Sequence, residues 1–238
     1  MKVLAFDLST KTGWALFDNE KLICYGQLKS AVIGDESSPN YPQNYIEMAN
    51  NMGQEVKRNI ISSKPDYIVT EETNKGKNRY SQKQLEFIHF AVNTLADYKI
   101  HYMDTSEWRS LLGITLDKEQ RKDNRTINGA RKDEFDKVFK ICYETDKLSL
   151  QMSLSKCLNK REQNKVNKEY NKIITVKAKQ MMKSYRYKEE GKVVGKITCK
   201  TLSVNYVNER FFLQLKKKDN DIADAICIGQ AFIDKMKV

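Results

Sequence analysis

Near the end of the chain, Asp219-Asn220-Asp221-Ile222-Ala223-Asp224-Ala225-Ile226-Cys227-Ile228-Gly229-Gln230-Ala231-Phe232 reads as a helix that is apolar on nearly every side yet starts with acids. The basic run Lys216-Lys217-Lys218 precedes it, and Asp219 or Asn220 is placed to cap the first turn with a side-chain oxygen. Residues three apart on a helix are neighbours, so Asp221 and Asp224 carry their carboxylates side by side, with Cβ atoms roughly 5–6 Å apart. A helix this apolar belongs in a core, with its acidic end at an opening. Carboxylates crowded there call for a cation, and a divalent metal is the usual one. Acids in a first turn also complement the positive helix N-terminus, so other carboxylates must decide between the two readings.

The start of the chain supplies one. Val3-Leu4-Ala5-Phe6 reads as a buried strand that ends at Asp7, before Leu8-Ser9-Thr10-Lys11-Thr12-Gly13. A carboxylate at the end of a central strand is costly unless it is paired or metal-bound. Trp14–Phe17 and Leu22–Gly26, around the turn Asp18-Asn19-Glu20-Lys21, predict a hairpin. Met48, Ala49, Met52, Val56 and Ile60 recur at amphipathic-helix spacing, which Pro65 ends. Tyr67-Ile68-Val69-Thr70 predicts another strand, ending in Glu71-Glu72. Adjacent strand residues face opposite ways, so one of these glutamates can look towards Asp7, and periodicity does not say which.

The loop after that strand carries Lys75, Lys77 and Arg79 and no acid, which suits phosphate contact or a solvated turn. A helix bearing Leu85, Ile88, Val92 and Leu95 follows, with His89 near its apolar face as a core histidine. Tyr98–Met103 alternates as a strand, and Asp104 or Thr105 caps the short helix Ser106–Leu112. Asp7, one of Glu71 and Glu72, and the Asp221/Asp224 pair can converge on one site. Oxygen ligands without His or Cys suit Mg²⁺ or Mn²⁺.

Residues 117–200 hold 23 Lys and Arg against 12 Asp and Glu, while the rest of the chain holds 19 against 19, so the whole net charge of +11 lies in the middle. A basic segment set in a neutral frame reads as a phosphate-binding device. Lys147–Lys172 is polar, with no decided helicity. Ser184–Lys188 and Val193–Cys199 are expected to pair as a basic hairpin around Glu189–Lys192. Tyr185 and Tyr187, alternating there with Lys183, Arg186, Lys188 and Lys192, suit either base stacking with phosphate contact or a half-buried strand. Five scattered cysteines without Cys-x-x-Cys spacing and two histidines exclude a zinc site or disulfide framework. The short apolar run at the N-terminus does not make a signal peptide, and no segment has the length of a membrane span, so the expectation is a soluble cytoplasmic protein. The order of elements predicts an α/β sheet that mixes an antiparallel hairpin with parallel strands and is flanked by helices.

With these residues assembled, the chain resembles the RuvC family of Holliday junction resolvases, phage-type members above all, on the ribonuclease-H-like fold. The resemblance rests on Val3–Thr10 with Thr12-Gly13, Pro65–Glu71, Ser106-Glu107-Trp108-Arg109 with Leu112-Gly113-Ile114, and, most specifically, Asp219–Ala225. It covers residues 1–116 and about 200–238, which it makes a nuclease core (1–116 and 201–238), and leaves 117–200 as a basic insertion, read here as DNA-binding. The resemblance selects Glu71 over Glu72 and implies Asp7, Glu71, Asp221 and Asp224 as catalytic ligands of two Mg²⁺ ions, which Mn²⁺ can replace. It implies hydrolysis of phosphodiesters in four-way junctions or other branched DNA by a homodimer. Lys200 sits where relatives place a basic residue near the scissile phosphate. Bacterial members carry an aromatic just after the glutamate, whereas here Asn74 stands in that region and Tyr80 is the nearest ring. Within the nuclease class, flaps and RNA–DNA hybrids are alternative substrates. From other classes, an actin-like kinase or ATPase lacks its second glycine-rich loop here, and a non-catalytic DNA-binding protein would not need the acidic quartet.

Overall fold

The computed structural model describes residues 1–30, 38–73, 79–190 and 192–237, with the side chains of Arg79 and Tyr80 left out. Strands β1 (Lys2–Asp7), β2 (Lys11–Asp18), β3 (Lys21–Lys29), β4 (Tyr67–Glu71) and β5 (Ile100–Met103) form one sheet in the order β3-β2-β1-β4-β5. Both hairpin pairings are antiparallel, and β4 and β5 run parallel to β1. This is the mixed, helix-flanked sheet that the sequence predicts.

The central strand β1 is buried on both faces, which is why its sequence is a continuous apolar run rather than an alternation. Leu4 and Phe6 join Ile68 in a core under helices α1 (Gln43–Ser63) and α2 (Arg79–Ala96). Val3 and Ala5 point the other way, with Ala15, Phe17 and Val69. There they meet α3 (Thr105–Leu111), α6 (Cys199–Phe211) and α7 (Asn220–Lys235). Each large side chain so buried contributes about 1.5–3 kcal/mol. Helix α7 lies against β1 and β2, and every residue from Ala223 to Ile233 is buried.

Two glycines allow that approach. A Cβ on Gly229 would fall 2.5 Å from Phe17 Cε2, and one on Gly13 would fall 1.9 Å from the carbonyl oxygen of Asp221. The turn before Gly13 is closed by Thr12, whose buried hydroxyl donates to Ser9 O (2.7 Å) and accepts from Ser9 N (3.0 Å). The expected capping of α7 differs in detail. Asp219 makes no side-chain bond into α7. Its Oδ2 instead accepts from Lys216 N (2.9 Å) and closes the single turn Lys217–Asp219 ahead of the helix.

The chain divides into two compact units, residues 1–115 with 198–238, and residues 116–197. Lys200, counted with the basic stretch in the sequence, is thus on α6 of the first unit. The second unit is built on α4 (Lys118–Leu154) and α5 (Lys160–Met181). The polar stretch of undecided helicity is helical except for residues 155–159, which join the two helices. Asp117 and Gln120 form a capping box on α4, Asn159 caps α5, and Ile174 and Ala178 pack at helical spacing against Cys142 with Phe135, Phe139 and Tyr170 around them. The expected hairpin shrinks to β6 (Lys188–Glu189) and β7 (Lys192–Val193), because Met182–Ser184 makes a 3-10 turn, Asn124 ties down Ile197, and Cys199 already begins α6. Among the described residues, no helix is long and apolar enough to cross a membrane.

The glycines carry a prediction. Gly13→Ala drives a side chain into the backbone of α7 and should destabilise the protein by at least the 1–3 kcal/mol typical of overpacking. Gly129, inside α4 with open space around it, is the control: Gly129→Ala should stabilise by about 0.5–1 kcal/mol. Urea denaturation of the two variants checks both signs.

Candidate active site

Strand parity decides what periodicity leaves open. Ala5 pairs with Val69 and Phe6 with Thr70, and Val3, Ala5 and Val69 all face α7. Continuing the alternation, Asp7 and Glu71 share that face at the ends of neighbouring strands, while Glu72 is exposed. Asp221 and Asp224 project from the first turns of α7 onto the same end of the sheet.

The electrostatics record the convergence. Burial, then Asp224, Glu71 and Asp221 in turn, push the Asp7 carboxyl well above its ordinary value, and among the described residues Lys200 opposes them. Burial raises Asp224 as well, although the Ser203 hydroxyl and the Arg109 and Lys200 charges pull it back. Asp224 is 3% exposed, and its Oδ1 is buried without a hydrogen-bond partner. Lys200 Nζ lies 3.7 Å from Asp221 Oδ1, half-exposed, so the pair contributes little as a surface ion pair.

Two of the carboxylates are held by neighbours. Glu71 accepts from the Thr105 hydroxyl at Oε1 and from Trp108 Nε1 at Oε2 (3.1 Å), both donors belonging to α3. That helix is fixed by Asp104, which caps it through Ser106 N (2.7 Å) and Glu107 N (3.3 Å), and by Trp108, which is fully buried. Asp221 accepts from Asn220 Nδ2 at Oδ1 and from Gln27 Nε2 at Oδ2 (3.3 Å), so the edge strand β3 also reaches the site. Arg109 stacks on the Trp108 ring, 4.8 Å from its centroid, on the side of the site where its charge acts on Asp224.

The donor chemistry fits a hard divalent cation: oxygen atoms only, one of them buried and unpartnered, beside a carboxyl that burial and like charges force towards protonation. Among the described residues, no three Asp, Glu, His or Cys side chains stand close enough together to hold an ion. The four acids therefore form an acidic basin rather than a closed coordination sphere. His89 is no part of it. It is a buried residue of α2 itself, stacked on Tyr102 with 5.9 Å between ring centroids, and burial lowers its pKa to about 4.

The structure thus brings together Asp7, Glu71, Asp221, Asp224 and Lys200. Lys183, Tyr185, Arg186, Tyr187, Lys188 and Lys192 belong to the second unit. There Tyr185 and Tyr187 are half-buried, the lysines are exposed, and Arg186 donates to the carbonyls of Lys183 (3.0 Å) and Tyr185 (2.9 Å) of its own turn. Lys75 and Lys77 lie outside the described residues, as do the side chains of Arg79 and Tyr80. Gln27, Thr105, Trp108, Arg109 and Ser203 also border the site, although the sequence pattern alone does not single them out. The signal for two of them was Trp108-Arg109, an indole beside a cation just after a strand.

In fold, the chain is similar to the Thermus thermophilus RuvC structure, with a TM-score of 0.51 and 12% identity over 100% of this chain and 97% of that one. A second structure, T. thermophilus RuvC in complex with Holliday junction substrate, matches 47% of this chain and 69% of its own at 16% identity and a TM-score of 0.39. No family model matches the chain, and no curated protein matches its sequence. The class the architecture defines is therefore the RuvC-like, ribonuclease-H-like mixed sheet, a likeness of fold.

Burial of Asp7 carries a pH prediction. A carboxyl raised above its ordinary 3.8 binds its proton more tightly folded than unfolded, so stability falls as pH climbs from about 4 through the raised value and stays lower above it. In EDTA, Asp7→Asn should therefore unfold at higher denaturant than the parent at pH 7.5, and the gain should shrink as pH drops towards 4. Equal midpoints at pH 7.5 would show that Asp7 is not strained.

Proposed function

We propose that this protein is a divalent-cation-dependent endonuclease that cuts branched DNA, four-way junctions foremost. The observation that carries the reading is the set of four carboxylates, from two neighbouring strand ends and one helix start, acting electrostatically on one another at one end of a RuvC-like sheet. Two divalent cations held by Asp7, Glu71, Asp221 and Asp224 would supply a deprotonated water and neutralise the leaving 3′-oxygen of the phosphodiester.

The chain's own residues set the geometry. Thr105 and Trp108 fix the Glu71 carboxylate, and Gln27 and Asn220 fix that of Asp221, so neither must be ordered during the reaction. Lys200 sits across from Asp221, where its ammonium can hold a phosphate oxygen once the acids are occupied. Gly13 lets α7 come close enough to present its first turn to the strand ends. Residues 116–197 hold 22 Lys and Arg against 12 Asp and Glu, and in this reading they grip the phosphates of the DNA arms. Two copies related by a twofold axis would place paired nicks across a junction, leaving 5′-phosphate ends.

Incubation with a four-way junction, a flap, a linear duplex and an RNA–DNA hybrid, each with Mg²⁺ or EDTA, tests the proposal. Junction cleavage with Mg²⁺ and none in EDTA is expected. Asp7→Asn and Asp224→Asn should each lose about 10³-fold or more in rate, the size of a several-kcal/mol loss of charge stabilisation. Binding should survive, and Glu72→Gln should stay near the parent. Full activity in EDTA, or an essential Glu72 with a dispensable Glu71, would overturn the assignment. Preferential cutting of the hybrid would move the substrate to RNA–DNA duplexes.

A further inference from the structure

The second unit carries a hollow that the carboxylate site does not use. Asn128, Arg131, Lys132 and Phe135 of α4, with Lys179 of α5 and Met182 just after it, line an open hollow of about 430 Å³. The four α4 residues recur at i, i+3, i+4 and i+7, so they share one face of the helix. Met182 is buried and Phe135 half-buried, and the Phe135 ring is backed by Phe139 at 6.2 Å between centroids. The floor is therefore apolar and aromatic, and the rim is cationic.

Among the described residues, no Asp or Glu lines this hollow. The ion pairs of the unit join Lys137 to Glu134, Lys147 to Glu144 and Lys177 to Asp146. Among the described residues, Arg131, Lys132 and Lys179 have no such partner. Three cations without an ion-pair partner stand around one opening, and together they attract an entering anion. A ring at the floor favours a flat apolar group on the same ligand, and the Asn128 amide offers a donor and an acceptor at the edge. The volume falls in the range of small-molecule sites.

We infer that this hollow binds one nucleotide, with its phosphate between Arg131, Lys132 and Lys179 and its base against Phe135. Aromatic rings with cations are the combination that captures unstacked bases. The ligand chemistry has two sources, a free mononucleotide or an unpaired nucleotide within a strand. The second deepens the branched-DNA reading and rests on it, because base pairs that open at an exchange point would supply such nucleotides.

The test uses the full chain and 2-aminopurine, whose fluorescence responds to stacking. Four probes separate the sources: inorganic phosphate, 2-aminopurine deoxyribonucleoside monophosphate, a duplex with one extrahelical 2-aminopurine, and the same duplex fully paired. The bulged duplex should bind about tenfold or more tightly than the paired one, with a change in fluorescence. Phe135→Leu should abolish that preference and the signal while leaving paired-duplex affinity and junction cleavage in place. Arg131→Gln, Lys132→Gln and Lys179→Gln together, all exposed and outside the helix core, should weaken every probe. Mononucleotide binding equal to that of the bulge, lost in Phe135→Leu, supports the pocket and assigns it to free nucleotides. Unchanged preference for the bulge in both variants overturns the inference. Because cleavage is read separately, failure of the nuclease reading shows as an inactive parent rather than as a pocket that does not bind.

Discussion

A carboxylate at the end of a strand buried on both faces must find compensation within a few ångströms, because water cannot supply it. In this chain the difficulty is multiplied. Asp7 is raised by burial and then by three further acids, and Asp224 is almost fully buried with one oxygen unpartnered. Much of the first unit's local design follows from holding these groups together. Gly13 permits backbone contact with α7, the Thr12–Ser9 bonds fix the turn before it, and α3 turns Thr105 and Trp108 towards Glu71. Arg109 and Lys200 supply the positive charge that is near enough to matter when no cation is bound.

That arrangement strains the protein against its own charge, which is the usual mark of a site built for a ligand rather than for stability. A structural pair of acids capping α7 would be exposed and separately solvated. Here the acid just before α7, Asp219, is turned back to Lys216 and makes no cap on the helix, while Asp221 and Asp224 face the strand ends.

Most of the sheet and its helices can be read from the residues, because their burial patterns are simple. The run Val3–Phe6, the strand Tyr67–Thr70 and the apolar helix after Asp221 each announce an element, and the acids at their ends announce themselves. The choice between Glu71 and Glu72 is not legible from pattern, since a strand buried on both faces has no alternation to follow. It requires the pairing of Ala5 with Val69, a long-range register. The bracing by Gln27, Thr105 and Trp108 is hidden for the same reason, as contacts between distant segments leave no local period. In the second unit the sequence reading overextends the hairpin around Glu189–Lys192: alternating Tyr and Lys suits a strand, but the neighbouring turn and helix claim the ends. The helicity of α5 depends on Ile174 and Ala178 packing against α4, which polar composition obscures.

The proposed activity requires Asp7, Glu71, Asp221 and Asp224 to be ligands of one divalent-cation site. Crystals grown without divalent cations and then soaked in Mn²⁺ give the most direct reading, through the anomalous signal of the metal. The account predicts manganese in direct contact with carboxylate oxygens of Asp7 and Asp224, with Glu71 and Asp221 completing the site. Manganese held only elsewhere, with these four side chains unmoved, would contradict it.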